Sequence, residues 1–246
     1  MHTFYVPSSQ IQTDIATITA SEHHHLRSVL RTTPGETIRI IDGQGKVYTA
    51  EVLGTDTNQP LSQARILTHE FHPKGLCSLT LFQGLPKNDK MELILQKTTE
   101  LGIARVVPMR SKYALQKPSQ NRYERWHRVV ISATKQCQRP WLPELCTPQT
   151  FEASLVQLEK FSLRLLLISP NHGGESQTQH IKTVLRTVSD PTAIALFVGP
   201  EGGFSDQEVT AAIESGCVPV TLGANILRTE TAAIVAVAVA AYEYQL

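Results

Sequence analysis

The stretch that decides the fold is "AIALFVGPEGGFSDQEV", residues 193–209. Its six apolar residues predict a strand that is buried on both faces of a parallel sheet. Ser205 and Glu208 have the spacing of a capping box, which predicts that a helix begins there. Ligands of open α/β sheets bind at the carboxyl ends of strands, where glycines let them approach the backbone. Loop 199–203 is therefore either a ligand-binding loop, which we favour, or a tight turn that binds nothing.

Predicted strands and helices alternate over the C-terminal two thirds of the chain. A helix is predicted in "NDKMELILQKTTELG" (88–102), with Asp89 and Glu92 as a capping box and Gly102 just past its end. This alternation predicts an α/β domain with right-handed crossovers. The predicted strands lie in "CSLTLFQGL" (77–85), "ARVVPM" (104–109), "LRLLLIS" (163–169) and "CVPVTLG" (217–223).

The N-terminal part of the chain has the pattern of a small β domain. "PGETIRIIDG" (34–43) and "GKVYTAEVLG" (45–54) alternate apolar and polar residues between turn residues. A short helix is predicted in "SEHHHLRSVLR" (21–31), with Ser21 as its N-cap. "FHPKG" (71–75) marks a boundary, so we expect one domain over residues 1–72 and another over 73–246.

Composition indicates a globular protein: 41% of the 246 residues are hydrophobic and 18% are charged. The N-terminus lacks the pattern of a signal peptide. The longest apolar run, residues 232–242, has about half of the ~20 residues that a membrane helix needs. The four cysteines show no metal-type spacing, and the consecutive histidines at 23–25 point in different directions on a helix. We expect a cytoplasmic protein with reduced thiols, no membrane association and no metal.

Basic residues are concentrated in one segment of a chain whose net charge is only +1. Residues 105–139 contain nine Lys or Arg and one acid, a local charge of +8, whereas the remainder carries −7. Within "NRYERWHRVVISATKQCQRPWLP" (121–143), Arg125, Arg128, Lys135 and Arg139 lie nearly opposite an apolar helix face. This stripe is either a solvated surface or, as we favour, a contact for RNA phosphates, because the helix offers few acids for i,i+4 pairing.

A second glycine loop, "LGANILRTETAA" (222–233), follows the next strand and precedes a helix of small residues, with Thr229 as the predicted cap. Arg228 and Glu230 lie at the start of that helix. Two adjacent strand-end loops can enclose one ligand, although Arg228 alone could equally pair with a surface acid. Neither loop is a P-loop or a GxGxxG motif, which disfavours a nucleotide-phosphate enzyme and a dinucleotide fold.

Together, these stretches resemble the RsmE family, bacterial enzymes of the SPOUT superfamily that methylate N3 of a uridine in 16S ribosomal RNA with S-adenosylmethionine (SAM). The resemblance covers almost the whole chain. "HHLRSVLR" (24–31) and "GETIRIIDGQG" (35–45) look like the family's PUA-like N-terminal β-barrel domain. "KMELILQKTTELGI" (90–103), "ERWHRVV" (124–130) and the two glycine loops look like its catalytic domain.

The resemblance implies a fold and a set of functional residues. The C-terminal α/β domain is expected to contain a trefoil knot that holds SAM, and the enzyme is expected to be a homodimer. Residues 232–241 are expected to pack inside the knot and against the partner chain. The residues expected to bind the cofactor are Ile168, Ser169, Pro170, Val198, Gly199, Pro200, Glu201, Gly202, Gly203, Leu222, Gly223, Ile226, Leu227 and Arg228.

Catalytic and RNA-binding roles follow from the chemistry of the implied reaction. Uracil N3 carries a proton, so we expect Arg228 to stabilise the developing uracil anion and either Glu201 or Glu230 to accept the proton. The residues expected to bind RNA, within the small ribosomal subunit or free 16S rRNA, are His25, Arg27, Arg31, Arg125, Arg128, Lys135 and Arg139.

The chain departs from the family pattern in two places. "MHTFYVP" (1–7) lacks an arginine that relatives often carry before the first strand, and Gln138 in "KQCQRP" (135–140) stands where a glycine is usual. Other functions compatible with the residues are a non-catalytic RNA-binding protein and a SPOUT methyltransferase acting on transfer RNA or a ribose 2′-OH.

Overall fold

The structure, a computed structural model, describes residues 1–54, 61–114, 118–156, 158–170 and 178–245. The chain forms two compact units. The first comprises Met1–Lys74 and Ile131–Leu142, and the second comprises Gly75–Val130 and Pro143–Leu246. The domain limits 1–72 and 73–246 stay a prediction, and residues 131–142 are packed with the N-terminal unit.

The first unit is built on a six-stranded sheet in the order β1-β4-β5-β6-β3-β2. Its pairs are antiparallel except for β1 with β4, and a register shift between Thr49 and Ala50 interrupts the pairing of β5 with β6. Alternate residues such as Phe4, Ile38 and Ile40 form the core on one face, as the alternating pattern predicted. The strands are β1 (Thr3–Tyr5), β2 (Ile11–Gln12), β3 (Ile15–Thr19), β4 (Thr37–Ile41), β5 (Lys46–Gly54) and β6 (Leu61–Phe71).

The predicted N-terminal helix is present, but its predicted cap is wrong. Helix α1 (Ala20–His24) begins one residue before Ser21 and continues as a π turn over His25–Val29. Thr19 occupies the N-cap position and its side chain makes no capping hydrogen bond. Leu26 is fully buried, so apolar packing holds this helix on the sheet where a cap does not.

Gln138 adopts a left-handed backbone conformation with φ of 60°. This region is strained for residues that have a Cβ atom, by about 1 kcal/mol. Two hydrogen bonds from Arg39 compensate: Nη1 donates to the Gln138 side-chain oxygen at 2.7 Å and Nη2 to its carbonyl at 3.3 Å. Gln138 is thus held by Arg39 in a conformation that glycine adopts without strain.

The second unit contains an entirely parallel sheet, as the apolar runs predicted. Its order is β10-β8-β7-β13-β11-β14-β12, with β9 paired to β8. At its centre the Phe82 and Phe197 rings stack with centroids 4.4 Å apart. The strands are β7 (Ser78–Gly84), β8 (Arg105–Arg110), β9 (Glu144–Leu145), β10 (Gln149–Thr150), β11 (Leu163–Leu167), β12 (Gln179–His180), β13 (Ala193–Val198) and β14 (Val218–Thr221).

Of the two features predicted for the ends of α2, the glycine past its C-terminal end is observed and the capping box is not. Helix α2 begins after Asp89, whose side chain makes no capping bond, and Glu92 pairs instead with Arg125 at 2.9 Å. Gly102 follows the helix with φ of 97°, as expected past a helix end. The helices after α1 are α2 (Lys90–Glu100), α3 (Gln120–Gln136), α4 (Phe151–Leu155), α5 (Ile181–Leu185), α6 (Asp206–Glu214) and α7 (Thr229–Glu243). All belong to the second unit except the last turns of α3, residues 131–136, which belong to the first.

Helix α7 places its small residues against the sheet and against α2. Ala233, Ala236, Val237 and Ala240, which share one helix face, are fully buried. Small side chains allow close approach of the helix, which holds its N-terminus beside the ends of β7 and β13. Within the described ranges, no helix has both the length and the apolar character needed to cross a membrane.

Candidate active site

A cavity of about 570 Å³ lies where β11, β13 and β14 end. Because these strands are parallel and adjacent, their carboxyl ends meet at one edge of the sheet. Three loops form the walls: residues 168–170 after β11, 199–204 after β13, and 221–228 after β14. The volume lies within the range of about 300–1,000 Å³ that is typical of small-molecule sites.

The cavity brings together thirteen of the fourteen residues expected to bind the cofactor. Gly223 is the exception: it has φ of 137° in the same loop and is not part of the lining. The thirteen are Ile168, Ser169, Pro170, Val198, Gly199, Pro200, Glu201, Gly202, Gly203, Leu222, Ile226, Leu227 and Arg228.

The glycine loop is folded tightly on itself. A Cβ atom on Gly199 would lie 2.9 Å from the Gly203 carbonyl carbon, closer than real contacts allow. Gly203 has φ of 68°, a conformation that side chains disfavour, and the space beside its Cα atom is open. The loop is therefore compact on its inner side and presents bare backbone outward. Past it, Ser205 and Glu208 form the predicted capping box of α6.

Thr229 connects the two glycine loops instead of capping a helix, so its predicted role was wrong. Helix α7 begins at Thr229 itself, with Arg228 at the N-cap position and no side-chain cap. The buried Thr229 hydroxyl donates to the Gly199 carbonyl at 2.6 Å and accepts from Gln83 Nε2 at 3.0 Å. This chain of hydrogen bonds fixes the start of α7 to the end of β13 and to β7.

Sequence reasoning missed Lys90, the first residue of α2. It lines the cavity, and its Nζ lies 2.9 Å from Glu201 Oε1 and 3.4 Å from Glu230 Oε2. Burial raises the pKa of Glu201, but hydrogen bonds from Lys90 and from backbone amides, including that of Lys87, lower it more, so the net pKa is below its usual value. The hydrogen bond to Glu201 raises the pKa of the Lys90 ammonium.

The arginine predicted to be catalytic is available for a ligand. Arg228 lines the cavity beside Ile226, which is 69% exposed. Among the described residues it forms no ion pair, so the alternative of a surface pair finds no support there. The two carboxylates differ: Glu201 lines the cavity, whereas Glu230 lies behind it and is reached through Lys90.

The other missed lining residues gave little sequence signal. Asn225 is the single polar residue among them that directly follows a glycine motif, which is the one clue that was available. The others are apolar or hydroxyl residues next to the predicted loops, and only the fold shows which way they face. They are Leu167, Phe204, Thr221, Asn225, Thr229 and Ala232.

The basic stripe is partly neutralised by acids from other elements. Arg125 pairs with Glu92 at 2.9 Å, and Lys135 pairs with Glu22 at 2.6 Å. Sequence reasoning considered acids within the helix and could not see these partners. Arg128 is exposed on α3 within the second unit.

The remaining predicted RNA contacts lie in the first unit. Arg31 is exposed, His25 and Arg27 are partly buried, and the His25 ring packs 5.9 Å from that of Phe4. Arg139 is also partly buried, and burial lowers its pKa. Among the described residues, no group of three or more His, Cys, Asp or Glu side chains is placed to hold a metal ion.

Known proteins are similar to this chain in both sequence and fold. The family profile described as an RNA methyltransferase domain matches residues 73–241, and that of an RNA methyltransferase PUA domain matches residues 18–62. Ribosomal RNA small subunit methyltransferase E of Synechocystis sp. is 35% identical over 234 residues, which span 95% of this chain and 75% of the relative. The chain belongs to the ribosomal RNA small subunit methyltransferase E family.

A solved structure of the family extends this likeness to three dimensions. The ribosomal RNA small subunit methyltransferase E of Neisseria gonorrhoeae, bound to S-adenosyl methionine, has a TM-score of 0.85 and 30% identity. The match covers 98% of this chain and 97% of that one. The Bacillus subtilis member is 26% identical over 93% of this chain and 90% of its own length. The family recognised from the sequence motifs is thereby confirmed.

Replacing Thr229 by Val should destabilise the second unit by about 1–3 kcal/mol, because the Gly199 carbonyl loses a buried donor and the Gln83 amide loses one of its two acceptors, keeping only the Gly84 carbonyl. Thr98→Val is the matched control, since the buried Thr98 hydroxyl donates only to the Ile94 carbonyl one helical turn earlier. Urea unfolding of both variants measures the difference. Equal losses would contradict a special role for Thr229.

Proposed function

We propose that this chain is a SAM-dependent methyltransferase that methylates N3 of a uridine in 16S rRNA, with the assembled small ribosomal subunit as the expected substrate. The observation that carries the proposal is the cavity at the carboxyl edge of the sheet, walled by the glycine loops 199–203 and 222–228. Membership of the family and the SAM-bound relative from Neisseria gonorrhoeae support the reaction and the cofactor.

The residues of the cavity fit SAM. Gly202 and Gly203 carry no side chain, so a ligand can approach the backbone of the loop closely, although the Gly203 amide itself donates to the Pro200 carbonyl at 2.9 Å. Ile226 and Leu227 offer apolar surface to a purine ring. The bound cofactor supplies an electrophilic methyl group on a sulfonium centre. The task that remains for the protein is to prepare the acceptor, because uracil N3 is a weak nucleophile while it carries its proton.

Arg228 is the residue proposed to prepare the acceptor. A guanidinium beside O2 or O4 of uracil stabilises the negative charge that develops when the N3 proton leaves, and partial exclusion of water strengthens this interaction. The exposure of Arg228 at the cavity allows it to reach a base that enters from solvent. The target uridine must be unstacked, or presented already exposed by the folded RNA, to enter this site.

Either Glu201 or Glu230 is proposed to accept the N3 proton. Glu201 lines the cavity, which favours it on position, but its lowered pKa makes it a weaker base than an ordinary glutamate. Glu230 is 13% exposed, and Lys90 lies between it and Glu201. The two carboxylates are therefore coupled through one ammonium group.

The finer features of the family are proposed for this chain as well. We infer a trefoil knot in the second unit, a homodimer, and RNA contacts by His25, Arg27, Arg31, Arg125, Arg128, Lys135 and Arg139. Exposed hydrophobic side chains on α2, before α7 and on α7 support self-association: Leu93, Ile226 and Tyr242.

Methyl transfer from labelled SAM to small subunits that lack the modification tests the function. We expect label in 3-methyluridine, and more of it with assembled subunits than with naked 16S rRNA run in parallel. Label in another nucleoside would overturn the acceptor assignment. Absence of SAM binding would instead favour a non-catalytic RNA-binding protein.

Arg228→Ala should lower kcat by about 100-fold or more while SAM affinity changes little, because the lost contact is made mainly in the transition state. Arg186→Ala is the control: this arginine pairs with Glu243 at 3.2 Å, and its side chain is 60% exposed. Steady-state kinetics and calorimetric SAM titration separate the two quantities. An unchanged kcat would remove Arg228 from the mechanism.

Arg128→Ala should weaken RNA binding and reduce the slope of log K against log salt by roughly 0.7–0.9, the value for one lost phosphate contact. Filter binding over a range of salt concentrations measures the slope, again with Arg186→Ala for comparison. If the slope is unchanged and only thermal stability shifts, the exposed helix face is merely solvated.

A further inference from the structure

Three charged side chains from three separate elements meet at the cavity. Lys90 begins α2, Glu201 lies in the glycine loop after β13, and Glu230 lies in the first turn of α7. The Lys90 ammonium is within 2.9 Å of one carboxylate and 3.4 Å of the other. The backbone amide of Lys87 adds a hydrogen bond to Glu201 at 3.1 Å.

The cluster is sheltered from solvent to different degrees. The side chains of Lys90, Glu201 and Glu230 are 26%, 28% and 13% exposed, respectively. Partial burial weakens the screening that makes most surface ion pairs ineffective. Arg228 is the other charged side chain lining the cavity, and Asp89 precedes Lys90 in the chain.

The Lys90 ammonium reduces the repulsion between the carboxylates of Glu201 and Glu230. Without Lys90, two carboxylates would face each other beside the cavity in which a uracil anion is proposed to form. Like charges at short range raise the pKa of one partner, so one carboxylate would bind a proton and lose the ability to accept another. The repulsion would also push the glycine loop away from α7.

We propose that Lys90 is a positioning residue whose ammonium group holds Glu201 and Glu230 together as anions and fixes the glycine loop 199–203 against the start of α7. The mechanistic part of this inference rests on the proposed methyl transfer. The structural part, a carboxylate–ammonium–carboxylate clamp between α2, the loop and α7, does not depend on it.

The test compares Lys90→Met and Lys90→Arg with Lys97→Met. Lys97 is a matched control because it lies on the same helix and also pairs with one glutamate, Glu100, at 3.0 Å. Carbon-13 NMR of glutamate-labelled protein follows the carboxyl titrations without any substrate. Glu201→Gln and Glu230→Gln variants assign the two signals.

In Lys90→Met, we expect the titration midpoint of Glu201 to rise by about one pH unit, because the hydrogen bond from Lys90 that lowers its pKa is lost. Lys90→Arg, which keeps the charge, should show a smaller rise, and Lys97→Met none at this site. An unchanged Glu201 midpoint in Lys90→Met would overturn the proposal, whatever the activity of the protein.

Methyl transfer measured from pH 5 to 8 gives the functional readout. We expect the kcat of Lys90→Met, relative to the unsubstituted protein, to fall by about two- to threefold at pH 5 and to differ little at pH 8, because the protonated carboxylate is restored to its anion as pH rises. A loss that is uniform with pH would overturn the electrostatic part of the role. If the unsubstituted protein transfers no methyl group, the proposed function fails. The NMR titration still tests whether Lys90 holds the two carboxylates as proposed.

Discussion

The parallel register of the central strands is the constraint on which the site depends. Strands β7, β13, β11 and β14 are neighbours with the same direction, so their carboxyl ends open on one edge of the sheet. A parallel sheet is buried on both faces, which leaves this edge as the place where backbone groups remain free to meet a ligand. Three walls of the cavity are loops that leave the ends of β11, β13 and β14, and Lys90 of α2 and the start of α7 complete the lining.

Hydrogen bonds and ion pairs then join adjacent loops into one site. Thr229 joins α7 to the Gly199 carbonyl and to Gln83 in the buried interior, while Lys90 joins the same two segments at the cavity surface through Glu201 and Glu230. The inner connection uses neutral groups, because a charge buried there would carry a large desolvation cost. The outer connection uses charges, which remain partly hydrated.

Basic residues are concentrated in one segment of the chain, but the structure pairs some of them with acids from other segments. Residues 105–139 are strongly basic, yet Arg125 and Lys135 take part in ion pairs with acids far away in sequence. Such pairs reduce the net positive surface. Among the predicted phosphate contacts, Arg31 and Arg128 are exposed, as is Arg125 despite its ion pair.

The sequence by itself determined the parallel α/β unit, the glycine loops and the capping box at Ser205. These features are local: apolar runs predict buried strands, glycines predict bare loops, and spacing predicts caps. The family and the list of expected cofactor residues, thirteen of which line the cavity, came from the resemblance of the motifs to known proteins. Tertiary structure alone decided that Thr229 would bond across to Gly199, that Glu92 would meet Arg125, and that Lys90 would enter the site. Such choices depend on which distant groups the fold brings within hydrogen-bonding distance, and a one-dimensional pattern contains no information on that proximity.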